Sequence, residues 1–392
     1  MFLFNLCPFP VKQIGHLYTW MTIPAINRFR HEDIVFLGTE PQLADPRTVP
    51  FAPWVYGLVG HPGDVDWDGI RKIVVPGDVV ARTVKSVASP LELLDAMIRT
   101  GFQEYREWLF NALVRMRKDI EAAVTFVNDA SLDDVCQSLR IPVVHMEGGF
   151  MRHPAWRVST FQFDFQGVNG NTEAARRFAA WDHRGDGNGR ERIAELLLGP
   201  DQYAIYRTRD EDIRYEIGIP LQVEDDSNVI SFSNGESNLS VLYKARQLFA
   251  KANILARNHP FGKMSLNQQQ NLAMIDDSPS SVAFVARCKR ILTINSSVAF
   301  EGLVMNRPTY ILGDSALRPA AYTRLDQRLR NEYVPIERQS DYLEFIAFNY
   351  LIPFTLWMNP DYIRFRLGRP SEDEIRAVHL RAIEKETGRK PG

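Results

Sequence analysis

Cysteine is scarce: 392 residues contain three, Cys7, Cys136 and Cys288. Their odd number and wide spacing exclude a disulfide framework and any paired-cysteine metal site, and point to reduced thiols in a cytoplasmic protein. An excess of charge of one sign is also missing. The net charge is −2, so bulk electrostatics favour no nucleic-acid partner. No apolar run reaches the roughly 18 residues that would read as a transmembrane helix. The opening Met1-Phe2-Leu3-Phe4-Asn5-Leu6 is apolar, but it lacks a basic leader and is followed by Pro8 and Pro10. It therefore reads as a buried strand rather than a signal peptide. Repeats and low-complexity tracts are absent, as is an Asp-x-Asp metal motif flanked by strand signals. Asp276-Asp277 falls in a polar loop before Ser278-Pro279.

What is present alternates. Short continuous apolar runs, Ile34 to Leu37, Ile73 to Val75, Val124 to Val127 and Val143 to His145, are separated by amphipathic stretches such as Pro90 to Arg117. This is the pattern of a parallel sheet covered on both faces. Asn128, Asp129 and Glu147 follow strands, where α/β sheets collect their ligands. A helical, charge-rich stretch runs from Asn171 to about Asp212, and a second series opens at Gly218-Ile-Pro220. It predicts strands at Val229 to Phe232, Asn253 to Ala256, Arg290 to Ile294 and Pro308 to Leu312. Helices are expected at Leu239 to Lys251, Ser281 to Ala286 and Val298 to Met305. The fold class expected is α/β and GT-B-like, two Rossmann-like domains with a cleft between them. The expected boundaries are 1–215 for the N-terminal acceptor-side domain, 216–345 for the nucleotide-binding domain, and 346–392 for helices crossing back onto the first. The apolar stretch from Tyr350 to Met358 reads as core or interdomain packing, with contact to a membrane surface as the alternative.

Three features of the second series converge on a phosphate. A strand ends in Arg257-Asn258-His259-Pro260, with Lys263 close behind. Histidine at a strand end, fixed by proline and flanked by cations, can donate to a phosphate oxygen. A later strand runs through Asn295-Ser296-Ser297 directly into a helix. The serines can cap that helix, and its free N–H groups and dipole attract anions. Glu301 lies one turn further on, where a carboxylate on the same rim would accept from ribose hydroxyls. Read singly, each of these is an ordinary turn, cap or solvated side chain. Their order is what reads as a nucleotide-sugar site, with no metal and no cofactor required.

These residues carry a resemblance. Leu221-Gln222-Val223-Glu224-Asp225-Asp226-Ser227, Asn258-His259-Pro260 and Thr293 to Leu303 resemble the capsule-polysaccharide Kdo transferases, above all the retaining β-Kdo transferases of O-antigen and capsule glycans. Met146-Glu147-Gly148-Gly149-Phe150 is similar to that family's Glu-Gly motif. The likeness covers about residues 125 to 315. It implies a CMP-β-Kdo donor, a bacterial surface-glycan acceptor that is free or lipid-linked, no metal, and transfer with retention. It also implies Asp226 as nucleophile, Glu147 as acid/base, His259 at the departing CMP phosphate, Ser296 and Ser297 holding that phosphate, and Glu301 on the ribose. Such an enzyme would work in the cytoplasm, at the inner face of the inner membrane, with at most a peripheral attachment.

The chemistry is consistent with those residues. Retention is most simply reached by two inversions, which need one carboxylate to attack and another to deprotonate the acceptor. Asp225 is the neighbour that competes with Asp226. A donor bearing its own carboxylate calls for a cation, and Arg152, Arg157 and Lys263 are candidates. Asn169, Ser231 and Asn234 are candidate substrate contacts, although each also fits a plain turn. His145 reads equally as a packed histidine or a substrate contact. The competing readings are an inverting CMP-sialic or nonulosonic acid transferase and a non-catalytic module that binds a nucleotide or glycan. A sugar epimerase of the same fold is disfavoured, because no carboxylate-plus-arginine set typical of it is found.

Overall fold

The computed structural model describes residues 1–6, 19–48, 67–183, 185–260, 272–325 and 338–389. Lys263, expected in the donor site, lies outside the described residues. The chain forms two compact units. The first comprises Met1–Glu147, Asp164–Val168 and Leu356–Pro370; the second comprises Gly148–Phe163, Asn169–Thr355 and Ser371–Gly392.

In the first unit β1 (Phe2–Asn5), β2 (Ile34–Gly38), β3 (Arg71–Val74), β4 (Ala122–Phe126) and β5 (Val143–Gly148) lie in the order β5-β4-β1-β2-β3, all parallel. Every residue of β1, β2 and β4 is buried, as a sheet covered on both faces requires. Phe29 packs edge-on against Phe2 and Phe4 at 5.0 Å. The edge strand β3 exposes Arg71 and Lys72, charges that discourage pairing with another chain. The amphipathic stretch Pro90 to Arg117 holds two helices, Pro90–Arg99 and Gln103–Leu113, with the backbone turning left-handed at Gly101 (φ 64°) between them.

Strand order reverses between β1 and β4, and internal hydrogen bonds occupy that point. Asn5 Nδ2 donates to Asp129 Oδ2 at 3.0 Å, while Asp129 Oδ1 caps the helix Ala130–Leu139 by accepting from Ser131 and Leu132 N–H at 3.1 Å each. Burial pushes the Asp129 carboxyl up to about 6. The Asn128 amide exchanges two bonds with the backbone of Val168, at 2.8 and 3.1 Å. These strand-end groups, expected where ligands collect, are committed to holding the fold.

In the second unit, β6 (Thr160–Asp164) precedes a parallel sheet of β7 (Ile217–Pro220), β8 (Ile254–Arg257), β9 (Met274–Ile275), β10 (Ile291–Thr293) and β11 (Thr309–Ile311), in the order β11-β10-β7-β8-β9. Alternate side chains serve two cores. Ile254, Ala256 and Leu292 join Val241 and Leu242, whereas Leu255, Ile291 and Ile311 join Phe284 and Phe300. The latter core also takes Phe178, Ile193, Leu197 and Tyr206. Residues 169–215, grouped with the first domain on sequence grounds, therefore fold with the second sheet, because their apolar faces cover it.

Antiparallel to β6 runs β12 (Leu351–Pro353), with Leu351 opposite Gln162. Tyr350, Leu351, Ile352, Trp357 and Met358 are buried, while Phe354 and Leu356 are half-buried, so most of the apolar stretch 350–358 is core. No helix among the described residues is long and apolar enough to cross a membrane. The C-terminal segment returns to both units, with helix Pro360–Leu367 in the first and helix Glu372–Thr387 in the second. There Arg177 holds Glu372 by two bonds of 2.7 and 2.9 Å.

The class is the expected one, mixed α/β with parallel sheets. One element differs. Val229 to Phe232, expected as a strand from its β-branched residues, belongs to the helix Ser227–Phe232, capped by Asp226, whose side chain accepts from Asn228 N–H at 2.9 Å. Left-handed Asn234 and Gly235 follow shortly after the helix. A cap at one end and turn residues beyond the other outweigh the weak strand propensity of Val-Ile.

Candidate functional site

In the second sheet the strand order reverses between β7 and β10: β7 leads outward to β8 and β9, and the chain then returns to β10 and β11. Ligands of open α/β sheets bind at the carboxyl ends of strands at such a point. Three segments leave that edge from neighbouring strands: Leu221 to Asp226 after β7, Asn258-His259-Pro260 after β8, and Asn295-Ser296-Ser297 after β10. Gln222 fastens the first to the third. Its Nε2 donates to Asn295 Oδ1 at 2.8 Å, and its Oε1 accepts from Asn295 N–H at 3.0 Å and from Thr293 Oγ1 at 3.3 Å. Asn295 Nδ2 in turn donates to Asn228 Oδ1 at 2.9 Å and to Phe232 O at 3.2 Å. The helix capped by Asp226 and the Ser296-Ser297 turn are thereby held in one frame.

That frame corrects four expectations. Asn295 is buried, and its amide is satisfied inside the protein, so its side chain is committed to holding the site together. Arg257 is paired with the fully buried Asp276 and donates to Ser278 O at 2.9 Å. A carboxylate at the next strand's end has captured the cation expected for phosphate. Ser231, inside a helix rather than in a loop, is buried. Glu301 does not face the rim. It is 6% exposed, and its Oε1 accepts from Ser281 Oγ at 3.1 Å and Trp156 Nε1 at 3.3 Å.

His259, Asp226, Arg152, Ser296 and Ser297 remain able to act on a ligand here. His259 is half-buried; its pKa is lowered by burial and by the charge of Arg152, against the pull of Asp226. The three side chains thus share one electrostatic neighbourhood. Asp226 and Arg152 are both exposed. Ser296 and Ser297 are half-buried; Ser296 Oγ accepts from Val298 N–H at 3.3 Å, while the Ser297 side chain makes no capping bond. Asn258 and Pro260 are exposed beside His259. Asn234 is left-handed, with Nδ2 donating to Leu312 O at 3.1 Å. Asn169 is a left-handed turn residue bonded to Gln162.

Glu147 sits in the first unit as the penultimate residue of β5, half-buried. His145, two residues before it, is the packed alternative: its Nε2 lies 2.9 Å from Asp133 Oδ1 in the buried interior. Burial lowers its pKa, but Asp133 and Asp164 outweigh that and raise it.

Sequence reasoning gave no role to Gln222, Asn228, Trp156 or Ser281. For Gln222 a signal existed, a polar residue just past a buried strand. Nothing in the sequence marks Trp156 and Ser281 as partners of Glu301, because 145 and 20 residues respectively separate them from it.

Burial pushes the Glu301 carboxyl up to about 7, opposed by Trp156, Ser281 and the charge of Arg152. Its Oε2 is buried without a hydrogen-bond partner among the described residues. A carboxyl raised on folding stabilises the protein below its unfolded pKa and loses that contribution as pH rises through the folded value. Between pH 5 and 8, wild type should lose about 2–3 kcal/mol relative to Glu301→Gln, which does not titrate. Urea unfolding of both proteins at the two pH values measures this; parallel pH curves would refute it.

Residues 64–173 match the family model described as Glycosyltransferase 99 family N-terminal domain, and residues 187–330 match the one described as Capsule polysaccharide biosynthesis protein. Among solved structures, the chain is similar to a Thermosulfurimonas dismutans KpsC described as a beta Kdo 2,7 transferase. That match has 16% identity, covers 68% of this chain and 90% of that one, and has a TM-score of 0.46. A second KpsC from the same organism, a beta Kdo 2,4 transferase, matches at 15% identity over 57% and 79% of the two chains, with a TM-score of 0.42. The spinosyn rhamnosyltransferase SpnG with spinosyn aglycone matches at 13% identity over 100% and 97%, with a TM-score of 0.32. No curated protein matches this chain in sequence.

Proposed function

From the premise that the chain is a glycosyltransferase of the capsule-polysaccharide, Kdo transferase-like kind, we propose that it moves Kdo from CMP-β-Kdo to a surface-glycan acceptor with retention of configuration. The observation that carries the reading is that the Asp226 segment, the His259 strand end and the Ser296-Ser297 turn leave neighbouring strands at the switch point of the second sheet, the first and third tied together by Gln222 and Asn295.

In this reading the CMP phosphate lies against His259, Ser296 and Ser297. An Asp226 oxygen attacks the anomeric carbon; the bond from that carbon to the phosphate oxygen breaks, CMP leaves, and the sugar is held as an ester of Asp226. The acceptor hydroxyl then gives its proton to a general base, the role that the family resemblance assigns to Glu147, and attacks the same carbon, freeing the Asp226 carboxylate. Two inversions give retention. The exposed Asp226 is suited to the first step, because its cap bond to Asn228 N–H fixes its direction while leaving it accessible. Charge on the phosphate would be met by His259 and N–H groups, with no metal in the reaction.

Calorimetry with CMP, turnover of CMP-Kdo in excess EDTA, and NMR of the product's anomeric centre test the reading together. The expected results are CMP binding, undiminished turnover and a retained β-linkage. An inverted product would remove Asp226 as nucleophile and favour an inverting CMP-sugar transferase. Absence of CMP binding would remove every CMP-donor reading, and activity restored only by Mg²⁺ would require a metal.

A further inference from the structure

Arginines of the second unit are mostly bound to carboxylates: Arg257 and Arg287 to Asp276, Arg192 and Arg376 to Glu344, and Arg177 to Glu372. Arg152 differs. Among the described residues it makes no ion pair, and its Nε donates to Gly149 O at 3.1 Å. A Cβ on residue 148 would stand 2.9 Å from Arg152 Nη2, so glycine there lets the guanidinium lie across the backbone. The cation is fixed at its root and exposed at its tip. Its segment lies against the helix that follows Ser296-Ser297, with Phe150 packing on Phe300 at 6.2 Å and Trp156 donating to Glu301 at 3.3 Å, so that both His259 and Glu301 feel its charge.

We infer that Arg152 reads a carboxylate on the donor sugar, and that it selects sugar acids whose carboxylate adjoins the reacting carbon. This rests on the CMP-sugar reading above. The phosphate already has His259, Ser296 and Ser297 opposite it. What lacks a partner is the second negative charge of such a donor. An anionic nucleophile approaching a carbon that carries a carboxylate is repelled unless a fixed cation offsets it, and the offset is largest where water is displaced. The planar guanidinium fork matches a carboxylate through two parallel bonds, which an ammonium cannot do. Arg157, the other described candidate, is half-buried beside a second cation, Arg389, whereas Arg152 is exposed.

The test compares the KM for CMP-Kdo with the inhibition constant for CMP, which has the phosphate but no sugar carboxylate, in wild type, Arg152→Gln and Arg152→Lys. Arg152→Gln should raise the KM about 30-fold or more while moving CMP inhibition less than about threefold. Arg152→Lys should recover part of the loss. Equal weakening of CMP and CMP-Kdo would make Arg152 a phosphate ligand and overturn the assignment, as would no change in either. Wild type that binds no CMP would instead defeat the CMP-sugar reading, and the assignment of Arg152 with it. Arg152 is exposed, and thermal unfolding of each variant should match wild type.

Discussion

Asparagine in place of Asp226 should lower transfer at least about 10³-fold while leaving CMP affinity and thermal stability near those of wild type. The separation between catalysis and folding follows from the geometry. Asp226 caps the helix Ser227–Phe232 through Oδ1, which accepts from Asn228 N–H. Asparagine caps a helix about as well as aspartate, within a few tenths of a kcal/mol, through the same oxygen. What it lacks is the anionic oxygen needed to displace CMP. Asp225→Asn supplies the control: its turnover should stay within about threefold of wild type. The proposed reading puts Asp226 rather than Asp225 in the role, and His259 responds to the charge of Asp226. With acceptor omitted, wild type should also accumulate a sugar adduct visible by intact mass and mapped to Asp226, and the asparagine variant should not. An active Asp226→Asn protein, or an inactive Asp225→Asn protein with wild-type stability, would move the nucleophile elsewhere.

The strand-end motifs were legible because their flanks are. Ile254 to Ala256 and Ile291 to Thr293 are short, apolar and bounded by polar breakers, so the positions of His259 and Ser296 at strand ends followed directly. What the linear order conceals is that β7 lies between those two strands. The Asp226 segment therefore leaves the sheet between the other two, a point set by the return of the chain from β9 to β10. Side-chain commitments were hidden for a related reason. Arg257 and Asn295 carry the right chemistry for a donor, but Asp276 and Gln222 claim them across 19 and 73 residues. Local reading likewise failed at Val229 to Phe232, where the Asp226 cap overrides a β-branched pair. It also failed at residues 148–163, which directly follow a first-unit strand yet fold with the second unit. That departure carries Arg152 and Trp156 into the unit that holds His259 and Glu301, and no periodicity or motif marks it.

Removal of the imidazole by His259→Ala should lower kcat about 10²–10⁴-fold, the range of a positioned general acid. Its pH signature distinguishes this role from simple packing. In the protein alone His259 is held below its ordinary value of 6.5 by burial and by Arg152, with Asp226 opposing. The free enzyme is therefore mostly unprotonated at neutral pH. Because kcat/KM reports the free enzyme, it should fall as pH rises through an apparent pKa below 6.5. On the proposed reading the donor would bring a phosphate against the ring and a carboxylate against Arg152. Both changes favour the imidazolium, so the corresponding limb in kcat, which reports the complex, should lie at higher pH. CMP binding near pH 7 should accordingly take up protons, seen as a dependence of the calorimetric enthalpy on the buffer's ionisation enthalpy. In Arg152→Gln the kcat/KM limb should itself move to higher pH, since one of the two depressing influences is gone. In His259→Ala the limb and the proton uptake should both disappear. A limb that persists unchanged in His259→Ala would assign the titration to another group and leave His259 a binding residue.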